Sequence, residues 1–287
     1  MFAMSEYGHL VQVAMTHPRD VFTEARLDAE WRALHFAGRP DRHRAIDEFD
    51  WFLAILQSHG AAVHLLPVHE DYTLDSIYAR DASIVSPRGL ILCNMGKRAR
   101  AAEPAGHRRA FGSLGLPTAG TIAPPATLEG GDVVWFDDQT VAVGRGYRTN
   151  GAGIGQLREL LGDGVTVLEV PLPHWRGETD VMHLMSLISP IDGDLAVVYP
   201  RLLPVPFREW LLDRGITLVE VPDEEFETMG TNVLALGPRR AVVLRGSPLT
   251  RAALERACVE VIEYEGAEIS VKGAGGPTCL TRPLARR

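Results

Sequence analysis

Apolar and polar positions along the chain alternate in short runs that predict hairpins, each followed by a helix and a third strand. In the clearest stretch, Asp132-Val-Val-Trp-Phe136 and Thr140-Val-Ala-Val143 flank the polar turn Asp137-Asp138-Gln139 and predict a hairpin. Ile154, Leu157, Leu160 and Leu161 then recur at helical spacing. A Gly162-Asp-Gly164 break follows, and Val165–Val170 predicts a strand ending at Pro171.

The same order recurs three more times. His183–Ile188, a turn over Ser189–Asp194 and Leu195–Tyr199 predict a hairpin. A helix from about Phe207 to Asp213 and a strand over Ile216–Val221 complete that unit. Asn232–Leu236 and Ala241–Leu244 flank a turn, then come a helix over Thr250–Glu265, stopped by Gly266, and a strand over Ala267–Val271. Upstream, Asp81–Val85 and Leu90–Cys93 flank Ser86-Pro-Arg-Gly89, and a helix is predicted over about Arg98–Ser113.

Hairpin starts at Asp81, Asp132, His183, Asn232 and Cys279 are separated by 51, 51, 49 and 47 residues. The unit opening at Cys279 has no room for its second strand. The strand His9–Ala14, the helix Asp41–Ser58 and the strand Ala62–Leu66 supply its missing parts. Five such units, the last shared by both termini, predict a closed α/β ring and one domain over residues 1–287. Repeats of this length mark propellers and arrays, and closure removes exposed sheet edges. Residues at equivalent starts should then converge on the ring's centre, and all five are polar or reactive.

Composition narrows the function classes. The chain is 46% hydrophobic and 23% charged, as in ordinary globular proteins. A net charge of -8 argues against nucleic-acid binding, and Lys97-Arg98-Ala-Arg100 is too short a basic run to reverse that. Apolar runs are too short for a membrane span, and the amino terminus lacks a signal-like pattern. Cys93, Cys258 and Cys279 form neither a disulfide framework nor a metal motif, so a reducing cytoplasm is expected.

Among the cysteines, Cys279 stands out because Gly273-Ala-Gly-Gly-Pro-Thr278 leads into it, and glycine lets backbone come close to a reacting atom. Cys93 in a strand and Cys258 in a helix read as structural. A nucleophilic thiol needs a nearby base or cation, and His183 holds the equivalent repeat position. His59, His64 and His69 match no metal spacing and read as structural. Leu128-Glu129-Gly-Gly-Asp132 places two acids around a flexible turn, and Asp75 and Asp81 add others one unit upstream. Several carboxylates beside a cysteine suit a planar cation rich in N–H donors, such as a guanidinium. Gly151-x-Gly153-x-Gly155 lacks a nucleotide-binding spacing, and no G-x-S-x-G frames Ser186 or Ser189.

Five ordered blocks carry a resemblance: Asp75-Ser-Ile-Tyr-Ala-Arg-Asp81, Leu128-Glu-Gly-Gly-Asp132, Gly146-Tyr-Arg148-Thr-Asn150, His183-Leu-Met-Ser186 and Gly275-Gly-Pro-Thr-Cys279. The chain resembles the guanidino-group-modifying enzymes of the pentein fold, most closely the dimethylarginine dimethylaminohydrolases. The resemblance implies a five-bladed α/β propeller with Cys279 as nucleophile, His183 as acid/base and Glu129 as the carboxylate beside them. It places Asp81 at the guanidinium, Arg148 and Arg100 at the substrate's carboxylate and Asp75 at the entrance, with Asp132 also among the substrate-binding residues. It implies hydrolysis through a covalent thiouronium adduct, with no metal or organic cofactor. The expected partner is a small guanidino molecule, with no nucleic acid or membrane involved and a homodimer left open.

Three departures bear on the substrate. Arginine deiminases and amidinotransferases carry an acid two residues after the histidine, where this chain has Met185, so an N-substituted guanidinium is favoured. Arg80 stands where the dimethylarginine hydrolases usually have glutamate, and Ala274 where some members place an aspartate for the substrate's amine. The alternatives are an arginine deiminase or amidinotransferase within the fold, and a non-catalytic binding protein of the same fold.

Overall fold

The structure, a computed structural model, describes residues 4–179 and 182–287. The chain opens with β1 (Leu10–Met15), the long helix α1 (Arg42–Ser58) and β2 (Ala62–Leu65). Next come β3 (Ser83–Ser86), β4 (Gly89–Leu92), α2 (Glu103–Ser113) and β5 (Thr118–Thr121). The second such unit is β6 (Val133–Asp137), β7 (Thr140–Arg145), α3 (Gly151–Leu161) and β8 (Thr166–Pro171). The third is β9 (Ile188–Asp192), β10 (Leu195–Val198), α4 (Val205–Asp213) and β11 (Thr217–Glu220). The fourth is β12 (Leu234–Gly237), β13 (Arg240–Leu244), α5 (Pro248–Arg256) and β14 (Glu260–Tyr264), and β15 (Arg282–Arg286) ends the chain.

These fifteen strands form five three-stranded sheets among the described residues. In each, the middle strand is antiparallel to one neighbour and parallel to the other. A parallel pair needs a long crossover, which the unit's helix supplies. The fifth sheet joins both chain ends: β1 pairs antiparallel with β15 (Leu10 opposite Arg286) and parallel with β2 (Val13 opposite Val63). Helix α1 completes this unit. Its Ala45, Phe49, Phe52 and Leu56 share one stripe, fully buried in a cluster with Val13, Met15 and Leu280. Burial of each large side chain contributes about 1.5–3 kcal/mol. Asp41 caps the helix by accepting the Arg44 N–H at 3.0 Å.

Several elements depart from the expectation drawn from the pattern. The segment from His183 does not begin a strand: Leu184–Ser186 is a 3-10 turn, and β9 starts only at Ile188. The Asp132 carboxylate takes the Leu184 N–H at 2.9 Å, so this donor is lost to a ladder. Ser189–Asp192 consequently lies within β9, and the turn moves to Gly193-Asp194. The helix expected over Thr250–Glu265 ends at Arg256, Cys258 is left-handed (φ 59°), and the β-branched run Val259–Ile262 feeds β14. Ala267–Val271 is a single π-helical turn, not a strand. The Arg98–Ser113 helix divides into a 3-10 turn at Arg98–Arg100 and α2, which has Pro104 in its first turn, where no N–H is needed. Gly151-x-Gly153-x-Gly155 opens α3, where a Cβ on Gly153 would lie 2.0 Å from the Thr127 carbonyl oxygen.

Asp81, Asp132, His183, Asn232 and Cys279 therefore all stand one to five residues ahead of their strands. They belong to the loops at one end of the sheets.

Candidate active site

Cys279 lies at the tight end of its glycine-rich segment. A Cβ on Gly275 would approach the Tyr78 ring to 2.2 Å, and one on Gly276 would approach Asn232 Cγ to 2.5 Å. The glycines thus let two other units close around the thiol. Asn232 Nδ2 donates to Cys279 Sγ at 3.3 Å, while its Oδ1 accepts from Thr278 N (3.0 Å) and Thr278 Oγ1 (2.8 Å). On the other side, the Arg80 N–H holds the Cys279 carbonyl at 3.1 Å. Burial, then the negative charge of Asp81, push the thiol pKa up against the hydrogen bonds from Asn232 and Thr278.

His183 and Glu129 come from loops 54 residues apart, and His183 Nε2 donates to Glu129 Oε2 at 2.8 Å. Glu129 is fully buried; its Oε1 accepts the Lys97 N–H at 2.8 Å, and Arg148 Nη1 stands 3.6 Å from Oε2. Asp81 Oδ1 lies 3.9 Å from His183 Nδ1 and has no hydrogen-bond donor among the described residues. Gly131 makes this packing possible, because a Cβ there would lie 2.5 Å from His183 Nδ1 and 2.7 Å from Asp81 Oδ1. The Gly-Gly pair was read as freedom to bend; the structure shows that it also serves close approach.

Electrostatics follow from this packing. Burial disfavours the charged imidazole, but Asp81, Asp132 and the hydrogen bond His183 donates to Glu129 outweigh it and lift His183 to about 9. Both ring nitrogens then carry protons at neutral pH. Burial opposes ionisation of Glu129 and Asp81, yet His183, with Arg148 for the first and Arg100 for the second, holds both below the usual carboxylate range. Burial raises Asp132 to about 6 and Glu103 to about 7.

The cleft has two chambers meeting at Cys279, His183 and Ala274. One is lined by Asp75, Asp81, Lys97, Arg100 and Arg148. The other is lined by Trp175, Met182, Met185, Phe226 and Met229 together with Arg176, Ser186, Glu227 and Asn232. In the wall of the ionic chamber Lys97 Nζ pairs with Asp75 Oδ2 at 2.5 Å.

Seven of the eight expected site residues line this cleft or touch one that does, and the eighth supports it from behind. Cys279, His183, Asp81, Asp75, Arg148 and Arg100 face the ionic chamber, and Glu129 sits beneath His183. Arg100 is already engaged: it pairs with Asp81 Oδ2, makes a fork to Glu103 at 2.8 and 2.7 Å, and donates to the Tyr78 carbonyl at 2.7 Å. It positions Asp81. Asp132 lies behind His183, holding the Leu184 N–H. Lys97 was read only as part of a basic run, although its backbone and side chain both reach site acids. Asn232 was singled out by register alone, and its bond to sulfur is visible only in space. His59 and His69 lie apart from the site, bonding the Ile55 carbonyl and Arg109.

Ligand atoms of Asp81, Glu129 and His183 lie within 4.8 Å of one another, close enough to share a cation. Arg100 and Arg148 already stand at these carboxylates, and His183 would have to release a proton held to about 9. These three cationic side chains offset the charge of the two carboxylates.

The family model for eukaryotic N,N dimethylarginine dimethylhydrolase matches residues 25–286. The chain is 31% identical to the uncharacterized protein YkgA of Bacillus subtilis, over 98% of this chain and 94% of that one. It is 30% identical to the N(G),N(G)-dimethylarginine dimethylaminohydrolase of Streptomyces coelicolor, over 84% and 86%. An arginine deiminase of Rhodococcus erythropolis is also 30% identical, over 75% of this chain and 62% of its own length. Among solved structures, a Pseudomonas aeruginosa DDAH mutant complexed with citrulline superposes with a TM-score of 0.75 at 20% identity, covering 95% of this chain and 98% of that one. The mixed α/β fold is therefore shared.

Proposed function

The chain belongs to the dimethylarginine dimethylhydrolase family, and on that premise we propose that it hydrolyses a C–N bond of an N-substituted, arginine-like guanidinium, with Cys279 as nucleophile. Guanidino-group hydrolysis or transfer is the chemistry its relatives share. The observation that carries the reading is Asp81 Oδ1, a buried carboxylate oxygen without a donor, lining one chamber with Cys279 beside the Glu129–His183 pair.

In this reading the guanidinium enters the ionic chamber and donates to Asp81 and Glu129. Arg148 and Lys97 face its acid end, since four of the five N–H groups of Arg100 are engaged. Arrival of a cation offsets the burial and the Asp81 charge that keep the thiol protonated, and favours the thiolate, the thiol proton passing to solvent. Sulfur attacks the guanidinium carbon, a C–S bond forms, and the C–N bond to the leaving amine breaks with its electron pair passing to nitrogen. His183 donates the proton that nitrogen needs. Neutral His183 then takes a proton from water, whose oxygen attacks the thiouronium carbon. The C–S bond breaks, sulfur leaves as thiolate, the added oxygen gives up its remaining proton to solvent, and a ureido product is released.

Met185 supports an alkylated nitrogen. It is buried on the wall of the second chamber beside Met182, Phe226 and Trp175, apolar contacts for a methylated amine within a lining that also carries Arg176, Glu227 and Asn232. The reading includes closure of the five sheets into a propeller whose last blade holds both termini, acting as one catalytic domain. A reducing, cytoplasmic setting would keep the three free cysteines as thiols. Among the described residues no helix is long and apolar enough to cross a membrane.

A second reading, arginine deimination, is favoured by the 30% identity to an arginine deiminase. A panel of arginine, monomethyl- and dimethylarginine, agmatine and guanidino acids, assayed for ureido product and released amine, separates the two. We expect methylated arginines to exceed arginine by at least tenfold in kcat/KM. Equal turnover would overturn the substrate assignment, and no ureido product from any of them would overturn the activity.

A further inference from the structure

Arg80 was singled out as a departure, and the guanidino reading assigns it no work. Arg80 lines a second, smaller cavity, shared with Glu6, Trp135, Arg282 and Arg286 and distinct from the cleft. Arg80, Arg282 and Arg286 are 1%, 5% and 3% exposed. Five N–H donors here have no acceptor among the described residues: Arg80 Nη2, Arg282 Nε, Arg286 Nε and Nη2, and Trp135 Nε1.

The charges do not balance. Three guanidinium groups face one carboxylate, Glu6, whose Oε2 accepts from Arg80 Nη1 at 3.1 Å. Burial, then repulsion from Arg80, pull Arg282 down to about 9; burial pulls Arg286 to about 10, so both remain cations at neutral pH. A buried charge needs a partner, and an arginine cannot escape by neutralising. The local sequence is unusual in the same direction. Strand β15 reads Arg-Pro-Leu-Ala-Arg, whereas its counterparts β3, β6, β9 and β12 carry no basic residue.

We propose that this cavity is a binding site for a small monovalent inorganic anion, of the halide class, held by Arg80, Arg282, Arg286 and the Trp135 indole. The residues that carry these donors line one cavity, and Met4, Val85 and Leu284 supply apolar wall, a mixture that suits a weakly hydrated ion. The site bears on the nucleophile's backbone. Arg80 Nε donates to the Thr278 carbonyl at 3.0 Å, Arg282 Nη2 donates to the Arg80 carbonyl at 2.6 Å, and the Arg80 N–H holds the Cys279 carbonyl. An anion that fixes these guanidiniums also fixes the main chain that carries Asp81 and Cys279. This inference does not depend on which guanidino compound the cleft takes.

The test uses the full chain, exchanged into sodium gluconate and titrated with sodium bromide at constant ionic strength, with bromine anomalous diffraction from crystals grown in bromide. We expect a saturable rise in Tm, about 5 °C at a hundredfold excess over the midpoint, and an anomalous peak within reach of the three guanidiniums. Arg286→Met should abolish the bromide-dependent part of that rise. If that variant does not fold, Trp135→Phe, which removes one donor, should raise the bromide midpoint severalfold. A Tm response identical in gluconate and bromide, or no peak in the cavity, overturns the proposal.

Discussion

The hydrogen bond between His183 and Glu129 offers the sharpest test of the site's electrostatics. His183 lies about 2.5 units above its ordinary value of 6.5, and at 1.36 kcal/mol per unit its surroundings favour the imidazolium by about 3 kcal/mol. That preference survives a burial penalty of the opposite sign. Asp81 and Asp132 act through charge alone, whereas Glu129 acts through both its charge and its hydrogen bond. Replacing it by the isosteric glutamine keeps the shape and removes the charge. We expect the His183 midpoint to fall by at least one unit in Glu129→Gln. At pH 8 the ratio of imidazolium to imidazole would then drop from about 10:1 to 1:1 or below. Titration of labelled histidine by NMR, with the His183 signal assigned through His183→Gln, reads this directly. Turnover should fall further than the protonation change alone, on the order of 10²–10³, because the carboxylate also faces the developing charge. A midpoint still near 9, or turnover within twofold of the parent, would refute the reasoning.

Cys279→Ser should lose ureido production while its melting temperature stays within a few degrees; retained turnover would remove Cys279 as nucleophile. Gly131→Ala forces a methyl into the space held by His183 Nδ1 and Asp81 Oδ1, so stability and turnover should both fall, and a parent-like kcat would show that the contact yields freely. The folded value of His183, about 9, exceeds the unfolded 6.5, so its stabilisation is fully present below about 6.5 and is lost as pH rises through about 9. Calorimetric Tm should therefore decline between those limits, and less so in His183→Gln; a flat or rising parent profile contradicts the assignment.

Much of this protein was legible in order along the chain. The repeat spacing, the strand–strand–helix–strand units and the completion of the last unit by the amino-terminal segment follow from local alternation and helical spacing, which neighbouring residues determine among themselves. The same register singled out Asp81, Asp132, His183, Asn232 and Cys279, and these stand together at one end of the sheets. Local pattern misled where a long-range partner overrode it. Asp132 takes the Leu184 N–H and delays β9, and pairing with β13 draws Glu260–Tyr264 into a strand where a helix was expected.

What surrounds each side chain there is visible only in three dimensions. The family resemblance implies Arg100 as a substrate-binding arginine, but four of its five N–H groups are engaged by Asp81, Glu103 and Tyr78. The raised imidazole and the depressed carboxylates depend on which charges share a dry volume, and that volume draws on residues from Asp81 to His183. The buried arginine cluster is likewise invisible in one dimension, since Arg80 and Arg282 are 202 positions apart yet hydrogen-bonded. Spacing along the chain specifies the elements and their repeat; proximity without water, which only the folded chain creates, decides charge state and partner.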